Sequence, residues 1–448
     1  MRVAWFSPLP PGRSGIAAYS AELLPRLAAR HEIHAFVDEG HGGRSPRTGA
    51  VAGVTVFGAH DFPWRHATQP YDVVVFQLGN DVCHHYMWPY MVRYPGLVVL
   101  HDGQVHQARA KGLIGDLRAD DYRAEFEYCH PDAVRGIADL TVSGLGGSLL
   151  YLWPMLRVPV EAGRVLAVHN AWLEREIAGL YPASTVIRVR PGVVDPSADV
   201  RASRAEVLAR HGVPPDSIVV GSFGRVTPEK GLSDALMALA QLADAVPLLR
   251  LLVVGGADSH YDVMAQARQR GVEDRVAVTG YVEDDRLPEY LAAVDICLNL
   301  RWPTSRETSA AWLRCLAAGK PTIVTDLAHT TDVPSLDLRS NTVKCTTPGV
   351  TVPVCVAVEL LDEVYMLRIC LRRLAEDAAL RTRLGAAARR YWAAEASLDV
   401  MVTDYDTALA QTAAAPDPNR AGWPAHLLAD GTRQARAIST RFGISLDW

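Results

Sequence analysis

A chain of 448 residues exceeds what one ordinary hydrophobic core organises, so two domains are expected. Hydrophobic residues at 49% and charged residues at 21% exclude long disordered blocks, and a net charge of −5 gives no overall basic surface for nucleic acid. The first residues, "MRVAWFSPLPPGRSG", have an apolar run too short and too rich in proline for a signal peptide, and no apolar stretch reaches the ~18 to 20 residues of a membrane span. Seven scattered cysteines without CxxC spacing read as reduced, mostly buried thiols of a cytoplasmic protein.

Taken in order, "RVAWFSPLP" predicts a buried strand, and "SGIAAYSAELLPRLAARH" a helix whose Ile16, Tyr19, Leu23 and Leu27 recur at helical spacing. Strands follow at "HEIHAFVD", "YDVVVFQLG", "GLVVLHD" and "RVLAVHN", then the helix "AWLEREIAGLY" and the strand "STVIRVRPGV". After a polar, proline-containing hinge, five more strands appear at "IVVGSFGRV", "LRLLVVGGA", "DRVAVTGYV", "VDICLNL" and "KPTIVTD", separated by amphipathic helices such as "SDALMALAQLADA". Strands apolar along their whole length and alternating with helices predict parallel sheets covered on both faces, here two doubly wound α/β units in tandem. Ligands in such folds bind at the carboxyl ends of the strands, which points to a cleft between the two.

Further on, "LRICLRRLAEDAALRTRLGAAARRYW" reads as one helical packing stripe, and residues 412–448 as a tail held by little beyond Trp423, Leu427, Leu428, Ile438 and Trp448. Asp404-Tyr405-Asp406 has the D-x-D form of metal-dependent nucleotide sites, but in a predicted helix it reads as a solvated face. His101 and His106 in "HDGQVH" lack a third ligand, so no metal site is expected, and Asp102 reads as orienting its loop. The aromatic segment 83–94, "CHHYMWPYMVRY", offers apolar faces with polar tips, suited to a hydroxylated acceptor or to core packing.

The strongest chemical signal is "GSFGRVTPEKGL", residues 221–232: a strand, a polar loop with Arg225 and Lys230, and a glycine opening a helix. A guanidinium and an ammonium beside a helix N-terminus suit a diphosphate, although a solvated basic loop has the same composition. This motif, followed by "LRCLAAGKPTIVTD" and preceded by "SPLPPGRSGIAAYSAELL" and "VVLHD", resembles retaining GT-B glycosyltransferases of the large family 4 group over residues 1–410.

The resemblance implies two Rossmann-like domains facing across a cleft. Residues 1–195 would be the acceptor side, completed by a helix near 395–411, and 196–394 would hold a nucleoside-diphosphate sugar. It implies that Arg225 and Lys230 hold the diphosphate with Gly224, that Ser14 and Gly15 bring backbone N–H groups to the donor, and that His101 contacts the transferred sugar. It implies no metal and no other cofactor; the partners are a nucleotide-sugar donor and a small-molecule or glycan acceptor. Two glutamates usual in that group fall on Arg306 and Arg314; Glu307 is the candidate for the first, with Thr308 and Ser309 at the start of a helix. Arg314 cannot accept a hydrogen bond from ribose as a carboxylate does. The absent second glutamate leaves open a non-catalytic sugar-nucleotide-binding partner or sensor, or an epimerase on the same fold.

Overall fold

The computed structural model describes residues 1–12, 14–39, 51–257, 260–429 and 432–444. Its contacts gather into two compact units, Met1–Val168 with Ile177–Ile187 and Asp406–Trp448, and His169–Glu176 with Arg188–Tyr405.

The first unit is built on a seven-stranded sheet of β1 (Arg2–Phe6), β2 (Glu32–Val37), β3 (Thr55–Gly58), β4 (Val73–Leu78), β5 (Leu97–Leu100), β6 (Val165–Val168) and β7 (Val186–Arg188), in the order β3-β2-β1-β4-β5-β6-β7. The pairings from β3 to β6 are parallel, and all six residues of β4 are buried, as a strand covered on both faces requires. Phe6 is central, with Phe36, Phe62 and Phe76 rings all within 5.2 Å of its own. The strand β3, just beyond the undescribed residues 40–50, was not expected from the sequence.

The second unit has eight strands where five were expected: β8 (Ile218–Phe223), β9 (Leu249–Val254), β10 (Val276–Val278), β11 (Ile296–Asn299), β12 (Thr322–Thr325), β13 (Ser335–Asp337), β14 (Thr342–Lys344) and β15 (Cys355–Val358). Their order is β10-β9-β8-β11-β12-β15-β13-β14, parallel except where β14 pairs with β13. The order reverses between β8 and β11, the switch point at which ligands of such sheets bind.

The division between units falls at 187/188 rather than at 195/196, for a physical reason. Residues 190–195 are tied to the second unit by Arg190 to Asp404 (Nη2–Oδ1 2.8 Å), by a bridge of Val193 to Ser397, and by the pair of Asp195 with Arg389. The helix Leu398–Ala414 therefore begins in the second unit and ends in the first, where Asp406 pairs with Arg30 and with His31 (2.9 Å). Asp404 and Asp406 are thus ion-paired structural groups, not the solvated face expected.

The stripe after β15 is two helices, Glu363–Glu376 and Ala378–Glu395, because Asp377 leaves helical geometry and caps the second through Leu380 N. The tail packs on the first unit: Trp423 is buried with its indole N–H 3.2 Å from Glu161, and His426 lies 2.7 Å from Glu125, itself paired with Arg109. All seven cysteines are free thiols, five of them buried. No helix among the described residues is long and apolar enough to cross a membrane.

Candidate functional site

The chain end of β8 leads into a turn that only glycine adopts easily. Gly224 has φ +90°, its N–H donates to Val254 O at 2.9 Å, and a Cβ there would stand 3.1 Å from Lys230 Nζ. The turn is held from the side by Gly255, where a Cβ would come within 2.1 Å of Gly224 O. The chain then passes Arg225, which is exposed, and a short 3-10 turn Pro228–Lys230, before Gly231 (φ +61°) admits the helix Leu232–Gln241.

Lys230 folds back over this loop and donates its ammonium to the carbonyl oxygen of Phe223. Burial, followed by the positive charge of Arg301, lowers its pKa to about 7, so near neutrality the ammonium is readily lost and readily regained when an anion approaches.

A pocket of the second unit lies beside Lys230, at the carboxyl ends of β11, β12 and β15. Glu307, Thr308 and Ser309 line it, and the helix starts later than the sequence suggests. It runs from Ala310 to Ala317 with Ser309 as its cap, accepting from Trp312 N at 3.3 Å, so Glu307 and Thr308 belong to the preceding loop. Ahead of it Arg306 stands at φ +60°, in the left-handed region. Its carbonyl accepts from Asn170 (3.1 Å), and its guanidinium lies 3.3 Å from Glu176.

Arg314 lies about one turn inside the helix, half-buried, and is not part of the pocket wall. Arg225 is likewise outside that wall, so the structure gathers Lys230, Glu307, Thr308 and Ser309 but not Arg225.

Sequence reasoning missed several pocket residues. Arg301 pairs with Glu307 (Nε–Oε1 2.7 Å), and Asn299 presents a buried side-chain N–H group with no hydrogen-bond partner among the described residues. His329, on the loop after β12, has its pKa lowered by burial, partly offset by Glu307. An arginine directly after the strand "VDICLNL" was the one available signal; Asn299 and His329 gave none.

In the first unit, Ser14 caps the helix Gly15–Ala28 through Ala17 N at 3.0 Å, and Gly15 begins it. A Cβ on Gly15 would meet nothing within 4 Å, so the protein's own packing does not demand a glycine there. His101 shares a 2.7 Å hydrogen bond with Gln77 Oε1 and meets Tyr19 edge to face, while Asp102 accepts from Asn80 N at 2.7 Å. His106 is buried against the Tyr122 hydroxyl, 2.7 Å away, and no three His, Cys, Asp or Glu side chains among the described residues form a metal-holding group. The 83–94 segment is mainly core: Met87, Trp88 and Met91 are buried, and the Tyr86 hydroxyl donates to Phe36 O at 3.0 Å.

Residues 217–340, which contain this loop and most of the pocket, match the family model of glycosyl transferases group 1. A 2-deoxystreptamine glucosyltransferase of Streptomyces kanamyceticus is 37% identical over 124 residues, 27% of this chain and 32% of that one. A GDP-mannose-dependent phosphatidylinositol monomannoside mannosyltransferase of Mycolicibacterium smegmatis is 25% identical over 300 residues, 64% of this chain and 69% of its own. The chain thus spans about a third of the first of these relatives. Sucrose-phosphate synthase of Thermosynechococcus elongatus shares the fold, with a TM-score of 0.63 at 16% identity, covering 92% of this chain and 98% of that one. The architecture is therefore GT-B, two Rossmann-like parallel-sheet domains, and the stretch that matches the family model carries Lys230 and Glu307.

Proposed function

We propose that this protein is a retaining glycosyltransferase that moves a sugar from a nucleoside-diphosphate sugar to a hydroxyl or amine of a small-molecule or glycan acceptor. The observation that carries the reading is Lys230, a desolvated lysine at the switch point of the second unit's sheet, beside a pocket that also presents Glu307 and a capped helix start. A diphosphate leaving group would meet the ammonium of Lys230 and backbone N–H groups around Ser309, with the guanidinium of Arg225, on the same loop but outside the pocket wall, turning in to join them. The names of the two relatives, a glucosyltransferase and a GDP-mannose-dependent mannosyltransferase, support sugar transfer and a nucleotide-sugar donor.

Catalysis would be mainly positioning and electrostatics, with Glu307 binding the transferred sugar and Ser14, Gly15 and His101 serving the donor from the first unit. No metal is needed in this scheme, because cationic side chains and amide dipoles offset the charge that a metal would otherwise carry. The first unit would supply the acceptor contacts.

The test is a panel of UDP, GDP, ADP and dTDP sugars with sugar and aminocyclitol acceptors, product configuration being read by NMR. Transfer with the anomeric configuration of the donor, lost by orders of magnitude in Lys230→Ala, is expected. Donor isomerisation without transfer would instead indicate an epimerase, and binding without diphosphate release a sensor.

A further inference from the structure

Arg301 opens the loop after β11, and the donor scheme above does not use it. Its backbone N–H donates to Thr325 Oγ1 at 3.0 Å, which pins the loop to the end of β12. Its Nε lies 2.7 Å from Glu307 Oε1, while Thr304 Oγ1 donates to Glu307 Oε2 at 3.1 Å. The carboxylate is therefore gripped on both oxygens by residues of its own loop. Each carboxylate oxygen has about two acceptor directions, so one on each remains for a ligand hydroxyl.

Neighbouring groups leave this pair intact. Arg306 is turned to Glu176, and the Arg301 and Glu307 side chains are only 29% and 18% exposed, so their attraction is less screened than that of a surface pair. Lys230 faces Arg301 and Cys315; Glu307 faces Arg301 and His329.

On the strength of the donor-site reading, we propose that Arg301 is a positioning residue that aims the Glu307 carboxylate at the hydroxyls of the transferred sugar. Without it, Glu307 keeps only a threonine hydroxyl and turns freely about its terminal torsion. The same guanidinium also acts on Lys230: its charge is the second cause, after burial, that brings the ammonium to about 7. Removing that charge raises the pKa of Lys230, whereas lysine in place of Arg301 keeps the charge but loses the fork that fits a carboxylate.

The experiment compares wild type, Arg301→Met, Arg301→Lys, Glu307→Gln and the double variant Arg301→Met/Glu307→Gln. UDP and GDP are the calorimetric probes across pH, donor turnover gives kcat and KM, and circular dichroism checks the fold. Arg301→Met and Glu307→Gln should each lower kcat at least about tenfold with donor KM moved less than about threefold, and the double variant should fall no further than about threefold below the worse single one. The alkaline loss of diphosphate binding should move to higher pH in Arg301→Met and stay in place in Arg301→Lys, whose kcat nevertheless falls.

Additive losses, wild-type kcat in Arg301→Lys, or an unmoved pH profile in Arg301→Met overturn the role of Arg301. If Arg301→Met does not fold, Arg301→Lys decides through kcat alone. Unchanged UDP and GDP binding in Lys230→Ala is a different failure: it overturns the donor site itself.

Discussion

Lys230 donates its ammonium to the carbonyl oxygen of Phe223, the last residue of the strand at the switch point of the second unit's sheet. A strong cation is thereby stored on a neutral acceptor, and a phosphate would be a better one.

This storage sets a pH dependence. With its pKa lowered to about 7, Lys230 is charged below that value and increasingly neutral above it; a bound diphosphate favours the charged form and draws a proton in. Nucleoside-diphosphate affinity should therefore fall by up to about tenfold per pH unit above about pH 7, with proton uptake approaching one per site. Calorimetry in buffers of different ionisation heat reads the uptake, and Lys230→Arg, which does not titrate, should abolish it. Uptake unchanged in that variant would assign the proton elsewhere.

Two glycines should behave oppositely. In Gly255→Ala the new methyl meets Gly224 O at 2.1 Å, so the loop must move, costing about 1–3 kcal/mol in urea unfolding and weakening diphosphate binding more than about tenfold. In Gly15→Ala the methyl enters open space, so the unfolding midpoint should hold while kcat/KM falls. An unaffected kcat/KM would remove Gly15 from the donor site.

At Arg306 the comparison of Gly with Ala isolates the backbone. Both variants lose the contact with Glu176, but only alanine must hold φ near +60°, so Arg306→Ala should be about 1 kcal/mol less stable than Arg306→Gly. Equal stabilities would mean that the loop relaxes out of the left-handed region.

Transfer should persist in excess EDTA. Asp404→Asn should lower stability by about 1–3 kcal/mol through the loss of charge-assisted bonds to Arg190, without creating any response to Mg or Mn. Activity lost to the chelator and restored by a divalent ion would contradict the metal-free scheme.

Both sheets were readable because a parallel strand covered on two faces is a near-continuous apolar run, as in "VVVFQL" and "LRLLVV", each with a single polar residue. What escaped was short or polar: "SLD" and "TVK" are three residues each, and their pairing with each other and with β15 is set by partners distant in sequence. In the site, Lys230 stood out through its loop between a strand and a helix, and Glu307 through the family resemblance. Arg301 escaped because its importance lies in a partner six residues on across a loop, and no periodicity describes a loop; the late helix start escaped because Thr308 and Ser309 both suit a cap and only Ser309 serves as one.

The assignment of Asp406 and the residues after it to the first unit has a consequence for biosynthesis. A ribosome makes β1 to β7 roughly 200 residues, about half the sequence, before the side chains of Asp406, Trp423 and His426 that pair with Arg30, His31, Glu125 and Glu161. The first unit therefore waits, partly formed, until the residues from Asp406 onward have been made, and cutting the chain near residue 400 would damage the first unit more than the second.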